Sequence, residues 1–277
     1  MEYSPNKLQK VLKENNFNFK KSLGQNFIID ENIINSIINK SDIDNKTLVI
    51  EIGPGAGSLT YKLGQTAKQV IAYEIDTRLK NILSQNLKGI NNIDIIYEDF
   101  LKANVKESLK NYEYDKLYVV ANLPYYITTP IIIKFIEDEI DVEKIVVMVQ
   151  KEVGDRFKAN VGTKEYNSLS VYLNYYFDVA KLLDVSKNVF IPKPNVDSIV
   201  IEFKQKENKL ELKNKNFFFK LIKDSFKQKR KTLKNNLSGY NLTKVEEVLK
   251  KYNLSLSSRA EQVPIEVFAD LANNLSE

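Results

Sequence analysis

The amino-acid sequence predicts an α/β fold, a parallel sheet of βα units followed by a small C-terminal helical domain. Two patterns predict it. Short apolar, β-branched runs at residues 48–52, 69–74, 93–97, 117–121 and 145–149 are separated by roughly 20–30 residues, the repeat of a strand and its crossover helix. Beyond residue 205 that rhythm stops, and Lys, Asn and Leu dominate, with helical spacing in 217–237 and 242–252.

Between these regions lie two further extended runs, at 172–179 and 196–203. The second alternates apolar and polar residues, which suggests a strand near a sheet edge. Pro192 and Pro194 precede it and form a rigid elbow, because proline fixes its own φ and restricts the residue before it. The expected division is therefore a first domain over 1–205 and a helical domain over 206–277.

Composition narrows the chemistry. The 277 residues are 28% charged and 43% hydrophobic, ordinary for a soluble globular protein. The sequence contains neither cysteine nor histidine. That excludes disulfides, thiolate chemistry, Ser-His and Cys-His catalysis, and zinc sites built on Cys and His; no metal is expected. The first 21 residues lack the apolar core of a secretory signal, and no apolar run approaches the ~20 residues that span a bilayer. A cytoplasmic protein without a membrane partner is expected.

Charge is unevenly spread. Residues 204–234 hold twelve Lys or Arg against three Asp or Glu, a local +9 within an overall +5. The rest of the chain therefore sums to −4. Such asymmetry points to a nucleic-acid or anionic-surface partner for one part of the molecule, against the plainer reading of a solvated basic helix.

Ligand-type residues sit at successive strand ends. The first strand runs into Gly53-Pro54-Gly55-Ala56-Gly57, where closely spaced glycines let the backbone turn sharply and approach a ligand. Ser58 follows, so the loop misses the G-x-G-x-x-G dinucleotide form by one position, and it lacks the Gly-Lys-Ser/Thr ending of a P-loop. Glu74 closes the second strand, placed to accept hydrogen bonds from two ribose hydroxyls. Asp99 follows the third, placed to accept from an adenine amine. Each acid alone reads better as a helix cap or a solvated loop residue; the three strand ends in order read as a nucleoside site. S-adenosylmethionine fits it better than NAD, having adenosine for Glu74 and Asp99 but no pyrophosphate, and its amino-acid end meets the loop of Gly53 and Gly55. After the fourth strand, Asn122-Leu123-Pro124-Tyr125 puts a carboxamide beside a ring on a rigid turn, a grip for a flat amine-bearing base.

Four motifs in order carry a resemblance: Leu23-Gly24-Gln25-Asn26-Phe27, Glu51 to Gly57, Asn122 to Tyr125, and Phe190-Ile191-Pro192-Lys193-Pro194-Asn195-Val196-Asp197-Ser198. From about Lys20 to Arg259-Ala260-Glu261 the chain resembles the ribosomal RNA adenine N6,N6-dimethyltransferase family. The resemblance implies a Rossmann-like class I methyltransferase sheet with a small C-terminal helical domain. Leu123, Pro54 and the run Phe226-Lys227-Gln228-Lys229-Arg230-Lys231-Thr232-Leu233 favour the branch acting on 16S rRNA over the macrolide-resistance branch acting on 23S rRNA. That branch dimethylates two adjacent adenosines in a hairpin near the 3′ end of 16S rRNA, in the small subunit or its precursor.

The family implies that Asn26, Ile28, Gly53, Glu74, Asp99 and Asn122 contact S-adenosylmethionine; spacing alone does not assign Asn26 or Ile28. Asn122 and the Leu123 carbonyl are expected to receive the target amine, with Tyr125 and Phe190 stacking on the flipped-out base. Lys20, Lys21, Lys227, Lys229, Arg230 and Lys231 are expected to meet RNA phosphates, and the protein to act as a monomer. Competing readings are a DNA-adenine or protein-amide methyltransferase, disfavoured by the Leu-Pro pair and the basic C-terminal helices, and a non-catalytic ribosome assembly factor.

Overall fold

The structure, a computed structural model, describes residues 5–124, 127–207 and 210–276. Its strands, in chain order, are β1 (Phe27–Ile28), β2 (Thr47–Ile52), β3 (Gln69–Tyr73), β4 (Ile93–Ile96), β5 (Lys116–Asn122), β6 (Lys144–Gln150), β7 (Phe177–Val185), β8 (Phe190–Ile191) and β9 (Ser198–Gln205). Each of the five runs expected as parallel strands is one, within two residues at either end. β2, β5 and β6 are buried along nearly their whole length, as strands covered on both faces must be, which is why they read as unbroken Val/Ile/Leu runs.

Seven strands form one sheet in the order β4-β3-β2-β5-β6-β9-β7. β2 through β6 pair in parallel, and β9 joins β6 antiparallel, with Met148 opposite Val200. The order reverses between β2 and β5, and the carboxyl ends of those strands open the crevice where sheets of this kind bind ligands. β9 lies one strand in from the edge, and its burial outruns its apolar-polar alternation. β1 pairs antiparallel with β8 in a separate two-stranded ladder, Phe27 opposite Ile191 and Ile28 opposite Phe190.

The chain divides into two compact units, residues 1–154 with 180–204, and residues 155–179 with 205–277. The expected boundary near 205 is thus one of three crossings. The segment 155–179, expected in the first domain, packs with the C-terminal helices. The extended run expected at 172–179 differs as well: the helix Ser168–Tyr176 occupies most of it, and β7 begins at Phe177. Local chemistry explains the helix, since the Asn167 side chain accepts from the backbone N–H of Leu169 and Ser170 and caps its first turn.

In the second unit the helices Lys215–Ser225, Leu242–Lys251 and Ile265–Leu275 bury Phe218, Leu221, Val245, Leu249, Phe268 and Leu271. Asparagine starts two of them: Asn214 Oδ1 accepts from Phe217 N at 2.9 Å, and Asn241 Oδ1 from Lys244 N at 3.2 Å. Among the described residues, no helix is long and apolar enough to cross a membrane.

Candidate active site

A cavity of about 320 Å³ opens at the carboxyl ends of β2, β3 and β5. Asn26, Ile28, Gly53, Gly55, Glu74, Asp99, Asn122 and Leu123 all line it, so residues spread over nearly a hundred positions meet in one place. Two glycines shape it. Gly55 has φ +58° and a Cβ there would lie 2.7 Å from the Phe27 ring, so the β1 aromatic packs where only glycine leaves room. At Gly53, φ +71°, an added Cβ meets no protein atom within 4 Å, and that open face belongs to the cavity wall.

Glu74 is 4% exposed. Its Oε2 accepts from Gly55 N at 3.1 Å and its Oε1 from Asp76 N at 2.7 Å, so the carboxylate is oriented by the loops on either side. Burial pushes its pKa up to about 7, against the pull of those two backbone donors. Glu51, at the end of β2, is 1% exposed, and its Oε2 is buried without a hydrogen-bond partner among the described residues. Burial lifts this carboxyl to about 8, and the charge of Glu74 adds in the same direction. Asp99 is half-buried; its Oδ1 accepts from Leu101 N at 3.1 Å, so it does serve as a turn cap while also facing the cavity.

Asn122 ends β5. Its Nδ2 donates to the Asn26 carbonyl at 2.8 Å, which fixes the amide's rotation and leaves Oδ1 as the acceptor end, without a partner among the described residues. Leu123 is buried at 2% exposure, its N–H donating to Met148 O at 3.4 Å. Tyr125 and the side chain of Lys21 lie outside the described residues. Phe190 requires a correction. It is 2% exposed and packed in the core cluster with Ile28, Val120 and Val200, so its ring faces are taken by the protein rather than open to a base.

Four carboxylates, Glu51, Glu74, Glu98 and Asp99, line the cavity, and no Lys or Arg does among the described residues. Even with Glu51 protonated and Glu74 partly so near neutral pH, such a wall disfavours a pyrophosphate and suits a ligand carrying hydroxyls and positive charge, the chemistry of S-adenosylmethionine with its ribose, ammonium and sulfonium. The unpartnered oxygen of Glu51 and the open face of Gly53 fit that group too. Spacing along the sequence does not place Glu51 in the cavity wall, although an acid inside the apolar run Thr47–Ile52 signals a buried carboxyl.

In the second unit, Lys227, Lys229, Arg230 and Lys231 stand exposed on the loop after the helix Lys215–Ser225, and none has a carboxylate partner among the described residues. The loop itself is pinned. Asn236 Nδ2 donates to Ser225 O at 2.7 Å and to Gln228 O at 3.2 Å, while its Oδ1 accepts from Gln228 N at 3.1 Å. Lys229 Nζ donates to Lys164 O at 2.7 Å. Lys20, in the first unit, is also exposed.

A sheet of this strand order, with β9 inserted antiparallel and an acidic cavity at its switch point, defines a class I methyltransferase. A family model described as ribosomal RNA adenine dimethylase matches residues 16–277. A protein of Staphylococcus aureus strain bovine RF122 / ET3-1, named ribosomal RNA small subunit methyltransferase A, is 52% identical over 240 residues, covering 86% of this chain and 81% of that protein. Among solved structures, a dimethyladenosine transferase from Plasmodium falciparum matches with a TM-score of 0.75 and 27% identity, over 88% of this chain and 95% of that one. The 23S rRNA methyltransferase ErmE matches with a TM-score of 0.75 and 25% identity, over 91% of this chain and 100% of that one. The chain belongs to the ribosomal RNA adenine dimethylase family, and it is an enzyme that uses S-adenosylmethionine as methyl donor.

Proposed function

We propose that this protein methylates N6 of two adjacent adenosines in a hairpin near the 3′ end of 16S rRNA, giving N6,N6-dimethyladenosine during small-subunit biogenesis. The observation that carries the reading is Asn122, held by Asn26 so that its amide oxygen remains to accept, in the same cavity as Glu74 and Asp99. The small-subunit target rests on the 52% identity to a protein named for that subunit, against 25% to the 23S enzyme.

When bound, S-adenosylmethionine supplies a methyl group made electrophilic by its positively charged sulfur. Glu74 would receive the ribose hydroxyls, Asp99 the adenine amine, and Gly53 and Gly55 the amino-acid end, with Asn26 and Ile28 completing the wall. The target amine is a poor nucleophile because its lone pair is delocalised into the ring. Asn122 Oδ1 and the Leu123 carbonyl accept its two hydrogens and draw the nitrogen toward a tetrahedral shape, which localises the lone pair. Tyr125 stacks on the base, a contact worth ~1–3 kcal/mol. The residues act by positioning and by dipoles. The alkylated amine is acidic enough to lose its proton to water, in keeping with a sequence without histidine. After the first transfer only one N–H remains, so Asn122 and Leu123 cannot both be satisfied and one of them must face a methyl.

Lys227, Lys229, Arg230 and Lys231, with Lys20 and Lys21, supply phosphate contacts that give affinity and register. The protein acts as a monomer in the cytoplasm. The test incubates it with labelled methyl donor and undermethylated small subunits and maps the modified adenosines. Label at two adjacent adenosines near the 3′ end of 16S rRNA is expected; label confined to large-subunit RNA would overturn the target.

A further inference from the structure

Asp76 touches no part of the cavity, yet it is 4% exposed and fully engaged. Its backbone N–H holds Glu74 Oε1 at 2.7 Å. Its Oδ2 accepts from Gln25 Nε2 at 2.7 Å, and its two oxygens take the fork of Arg78, Nε at 2.8 Å and Nη2 at 2.5 Å. From there the network runs into the N-terminal segment at two more points. Arg78 Nη1 donates to Asn18 O at 3.0 Å with the guanidinium 5.0 Å from the Phe17 ring, and Gln25 Oε1 accepts from Lys20 N at 2.9 Å.

A cap role explains only part of this. Asp76 Oδ1 does accept from Arg78 N at 3.3 Å at the start of the short 3₁₀ turn Thr77–Leu79. A cap does not need a second oxygen reaching back 51 residues to Gln25, nor an arginine reaching back 60 to Asn18. The segment so tied has little regular structure of its own, a single 3₁₀ turn at Lys21–Leu23 before the two-residue strand β1. Its last part, from Leu23 to Ile28, is a wall of the cavity and includes Asn26, the partner of Asn122.

We propose that Asp76 and Arg78 are positioning residues for the methyl donor. They latch residues 17–25 to the loop that carries Glu74, so donor affinity depends on two side chains outside the cavity. The latch rests on the reading that this cavity holds S-adenosylmethionine. Because the same tie fixes the backbone at Lys20, loosening it also frees a cation assigned to RNA.

Calorimetric titration of S-adenosylmethionine into the full chain tests this, with Arg78→Ala, Asp76→Ala and the double variant beside the wild type. Each single change is expected to weaken donor binding about tenfold or more, the range lost with one charge-assisted hydrogen bond. The double should be no worse than Asp76→Ala, because the guanidinium acts through the carboxylate. In turnover assays KM for the donor should rise with kcat at saturation nearly unchanged, and Arg78→Lys, which keeps the charge but loses the fork, should fall between. Should a variant prove poorly folded, tryptic cleavage at Lys20 and Lys21 in the donor-free Arg78→Lys protein provides the second reading, expected several-fold faster than in wild type. Wild-type donor affinity in well-folded Arg78→Ala, or a lower kcat with KM unmoved, would overturn the latch. A wild-type protein that binds no donor would sink the cofactor reading itself.

Discussion

In the first unit two of the charges that line the cavity are buried. Glu51 and Glu74 are 1% and 4% exposed, and removal from water raises both carboxyls, to about 8 and about 7. In the second unit the charges proposed to meet RNA are out in water: Lys227, Lys229, Arg230 and Lys231 are exposed on a loop that Asn236 ties to the backbone of Ser225 and Gln228. A buried carboxylate waits for a ligand to supply donors and positive charge, so protons compete with that ligand. An exposed cation on RNA works by releasing counterions, so salt competes with it. The cofactor side should therefore answer to pH and the RNA side to ionic strength.

The largest effect should separate chemistry from both affinities. Asn122→Ala removes the proposed acceptor for the target amine while leaving the glutamates and the basic loop in place. Methylation by the labelled-donor assay is expected to fall about 10²–10³-fold or beyond detection. Donor binding should survive in part and RNA binding should hardly change. Turnover at the wild-type rate would remove Asn122 from the mechanism.

Glu51→Gln probes the buried charge directly. The folded carboxyl titrates near 8 against 4.5 for its ordinary value, so between those pH values the folded protein holds a proton the unfolded chain has released. Stability then falls as pH rises through that window, and the loss is complete above about 8. Urea unfolding at pH 5 and pH 9 should show the wild type losing on the order of a few kcal/mol more than Glu51→Gln between the two. Parallel behaviour of the two proteins would mean the carboxyl is not isolated from water.

Replacing Lys229, Arg230 and Lys231 together by Ala should lower RNA affinity at moderate salt by roughly tenfold or more. The slope of log affinity against log salt should shrink by about 2–3. Donor affinity should stay put. The mirror experiment uses pH. Glu74 accepts hydroxyl donors best when ionised, and its carboxyl titrates near 7 in the free protein. Donor binding should then be about tenfold tighter at pH 8 than at pH 6, the change in ionised fraction. A donor affinity that tracks salt but not pH would break the contrast between the two units.

How well the sequence revealed each part follows from how local its signals are. Val/Ile runs with glycine or an acid at their ends are read within ten residues, and the strands carrying Gly53, Glu74, Asp99 and Asn122 stand where those signals put them. The stretch 172–179 misled because Tyr, Phe and Val favour strands, whereas the cap at Asn167 and packing with Phe218 and Phe219 favour a helix. Phe190 misled because its motif says nothing of burial, which depends on the pairing of β8 with Ile28. Asp76 and Arg78 are near neighbours, but their ties to Gln25 and Asn18 span 51 and 60 residues, and no window along the chain displays such a junction.

The smallest effect concerns the asparagine under the basic loop. Asn236 spends both ends of its amide on the backbone of Ser225 and Gln228, so Lys227 to Lys231 are presented by a fixed turn rather than a loose tail. Asn236→Ala leaves every cation in place and removes only that order. RNA binding is then expected to weaken several-fold, the ~1 kcal/mol of re-ordering one backbone residue on binding, because the turn's other backbone hydrogen bonds remain. The salt slope should stay at the wild-type value, since the number of phosphate contacts is unchanged. Asn236→Asp keeps the acceptor for Gln228 N but loses both donors and adds a negative charge, so it should bind RNA more weakly than the alanine variant. If Asn236→Ala instead reduced the slope as the triple variant does, the loop would owe its contacts to the clamp itself, and exposure alone would not account for the basic surface.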